Sequence, residues 1–410
     1  MAEQISFIHA ADLHLDSPFQ GLSTMPENIF KEIQSSTFVA LNNLVNNAIN
    51  KKVDFVLLVG DLFDNERQSL KAQIKLKRAF EELQRHNISV YISYGNHDFI
   101  NGNVYPVTYP ENVHIFNEEK VNHVPFKRSD KTIANIYGFS YENRSVTQNK
   151  TTEFERSDVE VPFHIAMLHG SSSSNTDHDT YAPFQLNDLI SKDFDYWALG
   201  HIHQRDVLKR TPFIVYPGNI QGRNRKESRD RGCYHVVLNK SQPSLTFIPL
   251  HAIQFNTISV DVSGSSKPHV LEEVIQQKIQ EQNYDVPQLL SVELTGSNQS
   301  LNVWDKDGLI EETIELLNES MITNSRWVYI FRYKVKVDQD FNENELMRGD
   351  HFIGELLRHS QDSPIHKYTE ELLRHKQARK YLNPISETDE DMVRQKAKQF
   401  LLNELLNGEG

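Results

Sequence analysis

The stretch Val53-Asp54-Phe55-Val56-Leu57-Leu58-Val59-Gly60-Asp61-Leu62-Phe63-Asp64 changes character at its middle. Residues 53–59 are apolar except for Asp54, the pattern of a strand covered on both faces. The polar group Gly60-Asp61-Leu62-Phe63-Asp64 then ends the run. On the N-terminal side, Ile29, Ile33, Leu41, Leu44, Val45, Ala48 and Ile49 recur at near-helical spacing, which predicts a helix over 26–51. On the C-terminal side a second helix is predicted over 70–85, with Ile74, Phe80 and Leu83 inward. Outside these helices lie two further apolar runs, 5–11 and 88–94. Strand, helix, strand, helix, strand predicts a doubly wound α/β arrangement.

Each of these strands ends in a polar motif. Asp12-Leu13-His14 follows the first, Asp61 the second, and Gly95-Asn96-His97-Asp98 the third. In doubly wound folds the functional site lies beyond the carboxyl ends of the strands. The pattern then repeats further along. The run Phe163–Leu168 ends at His169-Gly170, and Phe194–Leu199 ends at Gly200-His201-Ile202-His203. His9 lies inside the first strand and is expected to be a core residue rather than a ligand.

The remaining elements are less regular. Val113–Phe116 and Thr132–Phe139 are expected to be strands of a second, antiparallel layer, and 141–160 a polar surface loop. The serine run 171–174 is expected to be a flexible loop, or one that closes over substrate. Residues 213–222 predict a strand and a turn, and Cys233–Leu238 with Leu245–Leu250 a closing hairpin. From 256 the texture changes to a small α/β pattern ending near 337. From Asn342 onward it is helical, with stripes at Leu346, Phe352, Ile353, Leu356 and Leu357 and at Tyr368, Leu372, Leu373 and Tyr381. Thr388 and Asp391 resemble a capping box that opens a last apolar helix. The expected domains are 1–255, 256–337 and 338–410, the last a candidate partner-binding region.

The chain has 410 residues, 38% hydrophobic and 24% charged, as expected for a soluble globular protein of more than one domain. No apolar run reaches the ~20 residues that span a bilayer, and no signal peptide is apparent. A single cysteine, Cys233, excludes an internal disulfide framework and points to a reducing cytoplasm. The net charge of −13 argues against a protein that coats nucleic acid non-specifically. Residues 201–232 nevertheless hold eight Lys and Arg against three Asp and Glu. Arg223, Arg225, Lys226, Arg229 and Arg231 form a candidate DNA-binding segment.

Asp12, His14, Asp61, Asn96, His169, His201 and His203 combine oxygen donors with imidazoles. Two divalent ions need about this many protein ligands if one carboxylate, Asp61, bridges them. Ions ~3.5–4 Å apart polarise a phosphoryl oxygen and acidify a shared water, whose hydroxide attacks phosphorus in line. His97 stands beside Asn96 and is placed to protonate the leaving oxygen or steady the developing charge, with Asp98 expected to orient it. Nitrogen and oxygen donors without thiolate suit Mn, Fe, Co, Ni or Zn.

Asp-x-His, Gly-Asp-x-x-Asp, Gly-Asn-His-Asp, a lone His and Gly-His-x-His stand here in order over about residues 7–203. In this the sequence resembles the calcineurin-like metallophosphoesterases. That resemblance implies a four-layer αββα sandwich, with Asp12, His14, Asp61 and His203 on one metal and Asp61, Asn96, His169 and His201 on the other. The opening Phe7-Ile8-His9-Ala10-Ala11-Asp12-Leu13-His14-Leu15-Asp16-Ser17-Pro18 and the turn Tyr216-Pro217-Gly218-Asn219 are similar to the SbcD-type nucleases and YhaO-like proteins of that family. The nearer resemblance implies Mn-dependent cleavage of DNA, a small capping domain, an SMC-like or ABC-type coiled-coil ATPase partner, and a homodimer. Two alternatives stay open: a phosphodiesterase or phosphatase for small nucleotides or phosphoproteins, and a partner-bound scaffold with a regulatory metal site.

Overall fold

The computed structural model describes residues 3–401, apart from 20, 23–24, 65–67, 103–106, 158–159, 173–180, 266, 297–299, 338–346, 348–351, 362–389, 392, 395–396 and 399–400. The chain divides into two compact units, Met1–Lys336 and Val337–Gly410.

In the first unit the predicted alternation holds. β1 (Gln4–Ala11), α1 (Glu27–Asn50), β2 (Phe55–Val59), α2 (Leu70–Arg85) and β3 (Ser89–Ser93) follow in order. The three strands pair in parallel, β1 with β2 and β2 with β3. Side chains alternate across a strand, and β2 divides accordingly between two cores. Val56 and Leu58 join Leu41, Leu44, Leu76 and Phe80 of the helices. Phe55, Leu57 and Val59 face the opposite way, against Phe163, Ile165 and Ala198. Ser69 caps α2, its hydroxyl accepting from the Ala72 amide at 3.1 Å, and so satisfies an otherwise orphaned donor.

β4 (Val113–Ile115) extends this sheet beside β3, while β11 (Gly232–Asn239) and β12 (Ser244–Pro249) close the other side. The second sheet contains β5 (Asn122–Arg128), β6 (Lys131–Gly138), β7 (Phe163–His169), β8 (Tyr196–Gly200), β9 (Asp206–Arg210) and β10 (Phe213–Tyr216). Its order is β5-β6-β7-β8-β10-β9. The two sheets share the core that Phe55 and Ile165 occupy. The outer face of the second sheet is covered by Val146, Phe154, Phe184 and Leu189, the last from α3 (Leu186–Ile190). Helices, sheet, sheet and outer cover make four layers.

Three details differ from the sequence reading. β4 belongs to the first sheet, paired in parallel with β3. The second layer is mixed: β6, β7, β8 and β10 run parallel, and only the outer strands β5 and β9 pair antiparallel. The segment 141–160 is not simply a surface loop, since Tyr141, Val146, Lys150, Thr151 and Phe154 are buried. Of the serine run, Ser171 is buried and Ser172 bridges to Phe184; residues 173 and 174 lie outside the described residues.

A third sheet, β13 (Gln254–Asp261), β14 (Gln288–Gly296) and β15 (Val328–Val337), carries α4 (Pro268–Glu281), α5 (Ser300–Lys306) and α6 (Leu309–Met321). It meets the first part of the unit through Phe255, Leu289 and Trp327, which pack with Phe19, Ile29 and Ile33. The Trp327 indole donates to Glu32 of α1 at 2.7 Å.

In the second unit the helix Phe352–Gln361 is described, with Leu357 buried and Phe352 exposed. Leu346, the Tyr368–Tyr381 stripe and Thr388 lie outside the described residues. Among the described residues no helix is long and apolar enough to cross a membrane. Cys233 is buried, and burial pushes its thiol up.

Candidate metal centre

Every candidate ligand stands at the carboxyl end of a strand. Asp12 and His14 follow β1, Asp61 follows β2, Asn96 follows β3, His169 ends β7, and His201 and His203 follow β8. The first four residues thus come from one sheet and the three others from its partner sheet. The chain leaves its strands sharply. Asp12, His14, Asp61 and His201 all have positive φ, at 52°, 42°, 50° and 96°. Such conformations are costly for side-chain-bearing residues and persist only where the surroundings enforce them. The surroundings here are backbone hydrogen bonds between the loops: Asp12 N to Gly60 O at 3.1 Å and His14 N to Asp61 O at 3.0 Å.

Room for the imidazoles comes from two glycines. A Cβ on Gly60, itself at φ +73°, would lie 2.0 Å from His169 Nδ1. One on Gly95 would lie 2.3 Å from Asp61 Oδ1. The glycines in these motifs are therefore part of the site's shape.

The donor atoms converge as two groups. Those of Asp12, His14 and His203 lie within 4.8 Å of one another, as do those of Asp61, His169 and His201. His14 Nε2 and His203 Nε2 face each other at 3.0 Å. His169 Nε2 is 3.1 Å from Asn96 Oδ1 and 3.5 Å from Asp61 Oδ2. The same Asp61 oxygen is 3.9 Å from His14 Nε2, so the carboxylate stands between the groups.

For His169 and His203 the far side of the ring fixes which nitrogen is free. His169 Nδ1 lies 3.2 Å from the Val59 carbonyl, which can only accept, so Nδ1 carries the proton and Nε2 is left as a donor to a cation. His203 Nδ1 donates to Glu227 Oε1 at 2.8 Å, with the same result. His14 Nδ1 is 3.5 Å from Asp64 Oδ1. Nitrogen–oxygen donors converging in this way fit a divalent metal.

The electrostatics reflect packed, buried charge. Burial pushes the Asp12 carboxyl up to about 6 despite the neighbouring His169. Burial would also raise Asp61, but His169 beside it takes it well below the usual carboxylate range. For His169 burial alone would lower the pKa; the Asp61 charge and hydrogen bond carry it up to about 9. Burial, then the Arg223 charge, hold His14 well below the ordinary histidine value. His9 is fully buried between the Tyr196 hydroxyl, 2.9 Å from Nδ1, and the Leu199 carbonyl, 3.1 Å from Nε2. It takes no place among the donor atoms.

His97 lies at the edge of the site, its ring centroid 5.1 Å from that of His14. Its orientation departs from expectation. His97 Nδ1 donates to the Asp64 carbonyl at 2.7 Å. Asp98, expected to hold this ring, instead accepts the Leu62 amide at 2.6 Å and the Gly95 amide at 2.7 Å. It is fully buried, and burial followed by the Asp61 charge pushes it up to about 7. Asp98 therefore shapes two loops of the site and does not touch the His97 ring.

The basic segment also divides. Arg225, Lys226 and Arg229 are exposed. Arg231 is buried and donates to the carbonyls of Glu227, Ser228 and His203 and to Asn219 Oδ1. Arg223 is paired with Asp64 and lies 3.8 Å from Glu227. Neither of these two presents a free guanidinium to solvent, which corrects their assignment as DNA contacts. Asp64 and Glu227 were given no role by the sequence reading. Asp64 had a signal, as the second acid of Gly-Asp-x-x-Asp, whereas Glu227 had none within its own loop.

The comparisons with known proteins agree with this geometry. Residues 5–205 match the calcineurin-like phosphoesterase family model. The chain is 37% identical, over 407 residues covering 99% of each chain, to a Bacillus subtilis protein described as the uncharacterized metallophosphoesterase YhaO. It is 24% identical over 308 residues to the DNA double-strand break repair protein Mre11 of Sulfolobus acidocaldarius, covering 72% of this chain and 75% of the relative. To Mre11 of Methanocaldococcus jannaschii it is 28% identical over 229 residues, 55% and 58% of the two chains. Two donor groups at strand ends, in a four-layer sandwich of this topology, and a full-length match place the chain in the calcineurin-like metallophosphoesterases, which hydrolyse phosphoesters with the help of divalent metals.

Proposed function

We propose that this protein is a dinuclear, Mn-dependent phosphodiesterase that cleaves DNA, acting as an exonuclease or endonuclease in repair. The observation that carries this reading is the pair of donor groups flanking Asp61. Asp12, His14 and His203 would hold one ion, and Asn96, His169 and His201 the other, with Asp61 between them. When bound, such ions would polarise the phosphoryl oxygen and activate water for in-line attack. The chain's own residues do the remainder. His97 keeps Nδ1 bound to the Asp64 carbonyl, so Nε2 is the atom that protonates the leaving oxygen. Asp98 keeps the Leu62 and Gly95 loops, and hence Asp61, in place.

DNA as substrate is supported by two features. The Mre11 relatives are described as double-strand break repair proteins. Beside His203, a cavity of about 300 Å³ is lined by Arg205, Lys226, Arg229 and Arg231. Its exposed cations, Lys226 and Arg229 with neighbouring Arg225, would track the phosphate backbone. In the same reading residues 256–337 cap the nuclease domain, 338–410 bind an SMC-like ATPase, the protein dimerises, and it works in the cytoplasm.

The test is metal-dependent cleavage of end-labelled linear DNA with Mn, Mg or chelator, beside a His97→Ala control. Mn-dependent cleavage that the control lacks is the expected result. Hydrolysis of a small phosphodiester with no DNA cleavage, alone or with an ATPase partner, would overturn the nuclease assignment.

A further inference from the structure

We infer that Arg223 is a positioning residue of the metal centre, a single guanidinium that braces Asp64 and Glu227 and through them the rings of His97 and His203. The inference rests on the metal-holding reading proposed above and goes beyond it, because it moves Arg223 from the DNA surface into the scaffold of the site.

The connection spans the chain. Arg223 lies on the loop that follows β10, and Asp64 on the loop that follows β2, 159 residues earlier. One guanidinium nitrogen pairs with Asp64 Oδ1. The other is 3.8 Å from Glu227 Oε1. The arginine's own amide donates to Glu227 Oε2 at 2.8 Å, which fixes the backbone as well. The side chains of Arg223, Asp64 and Glu227 are only 16%, 12% and 10% exposed. This is therefore not a solvated surface pair, and without the arginine the Asp64 carboxylate would lose its guanidinium partner in a poorly solvated place.

Glu227 in turn holds a candidate ligand, and Asp64 stands beside another. Glu227 Oε1 accepts His203 Nδ1 at 2.8 Å, and its second oxygen is fixed by Asn219 Nδ2 at 2.8 Å. The Asp64 carboxylate stands 3.5 Å from His14 Nδ1. The Asp64 carbonyl accepts His97 Nδ1 at 2.7 Å. His14 and His203 are the two imidazoles that face each other at 3.0 Å. One fork thus braces the residue that holds the His203 ring and the residue whose carbonyl holds His97. Binding a DNA phosphate with the same guanidinium would mean breaking these contacts, whereas Arg225, Lys226 and Arg229 lie exposed a few residues away.

The test uses the full chain with Arg223→Met, which keeps the length of the stem and removes the fork, and with Arg223→Lys, which keeps the charge but not the planar geometry. Uptake of Mn2+ is measured by titration and elemental analysis, and Co2+-loaded protein by its visible absorption. Partners outside the ligand shell typically tune metal affinity by about 10–100-fold. The expected result for Arg223→Met is a loss of that size for one of two ions, a changed Co2+ spectrum, an unaltered second ion, and an unaltered salt dependence of DNA binding. Arg223→Lys should recover part of the loss. Two ions bound at wild-type affinity with an unchanged spectrum would overturn the inference while leaving the metal-centre reading intact. Fewer than two ions on the wild-type protein would instead remove that reading. Should Arg223→Met fail to fold, Arg223→Lys decides: one weakened ion supports the clamp, and wild-type affinity for both overturns it.

Discussion

His97 and Asp64 are joined ring to backbone: Nδ1 of the histidine donates to the aspartate carbonyl at 2.7 Å. A carbonyl cannot donate in return, so the tautomer is fixed and Nε2 is the free atom. The ring touches His14 edge-on and donates to none of the candidate carboxylates. Replacing His97 by Ala should therefore lower kcat on a phosphodiester by about 100- to 10,000-fold, the usual range for a proton-transfer group. Metal content should stay at the wild-type value. Elemental analysis beside steady-state kinetics checks both, and a variant that loses metal would show that His97 belongs to the ligand set.

The exposed cations give a separate prediction. Each phosphate contact contributes about 0.9 to the slope of log K against log salt on duplex DNA. The triple variant Arg225→Ala, Lys226→Ala, Arg229→Ala should flatten that slope by up to about 3 and weaken DNA binding uniformly across sequences. Turnover of a small phosphodiester should not change. An unaltered slope would mean that the basic segment faces solvent and nothing else.

Protons should compete with metal. His169 in the metal-free protein sits at about 9, above its ordinary 6.5, because the Asp61 charge outweighs burial. Its proton stabilises the fold fully below 6.5, and that contribution is lost as pH rises through about 9. Asp12 sits at about 6, above 3.8, through burial. Its raised value makes the apoprotein lose stability between those limits as pH rises. Both groups must shed a proton to bind a cation, so metal affinity should rise with pH from about 6 towards 9 and uptake should release protons. Calorimetric titration in buffers of different ionisation enthalpy measures that release. Affinity that is flat between pH 6.5 and 8.5 would contradict it.

Two glycines with similar positive φ should respond differently to alanine. Gly60 and Gly308 have φ of +73° and +77°. A Cβ on Gly308 meets nothing within 4 Å, so Gly308→Ala should cost only the left-handed strain, about 1 kcal/mol. A Cβ on Gly60 overlaps the His169 ring. Gly60→Ala should cost more than the strain alone and should abolish metal uptake. Denaturant melts and metal analysis on the two variants test the contrast.

The sequence discloses the parts of this molecule whose causes are local. β2 is an unbroken apolar run because both of its faces are buried, and its end is marked by Gly60 and Asp61. The ligand motifs are short because their residues sit on the tight turns that leave strands. What escapes such a reading is decided at long range. β4 resembles any short strand, and only its pairing with β3 assigns its sheet. β5, with Pro125 inside it and one buried residue, is an outer strand whose pattern is mostly polar. Arg223 and Arg231 look like members of one basic run with Arg225 and Arg229. Their difference lies in partners, Asp64 above all, that no window of adjacent residues contains.

The donor groups draw on both sheets, Asp12, His14 and Asp61 from one and His169, His201 and His203 from the other. Slippage of one layer against its neighbour by a single residue would move these atoms by about 3.3 Å, more than a coordination bond is long. The interdigitated side chains of the shared core hold the layers in register. The centre is thus a gauge of interlayer alignment: a shift of one sheet along the other would part the members of each donor group.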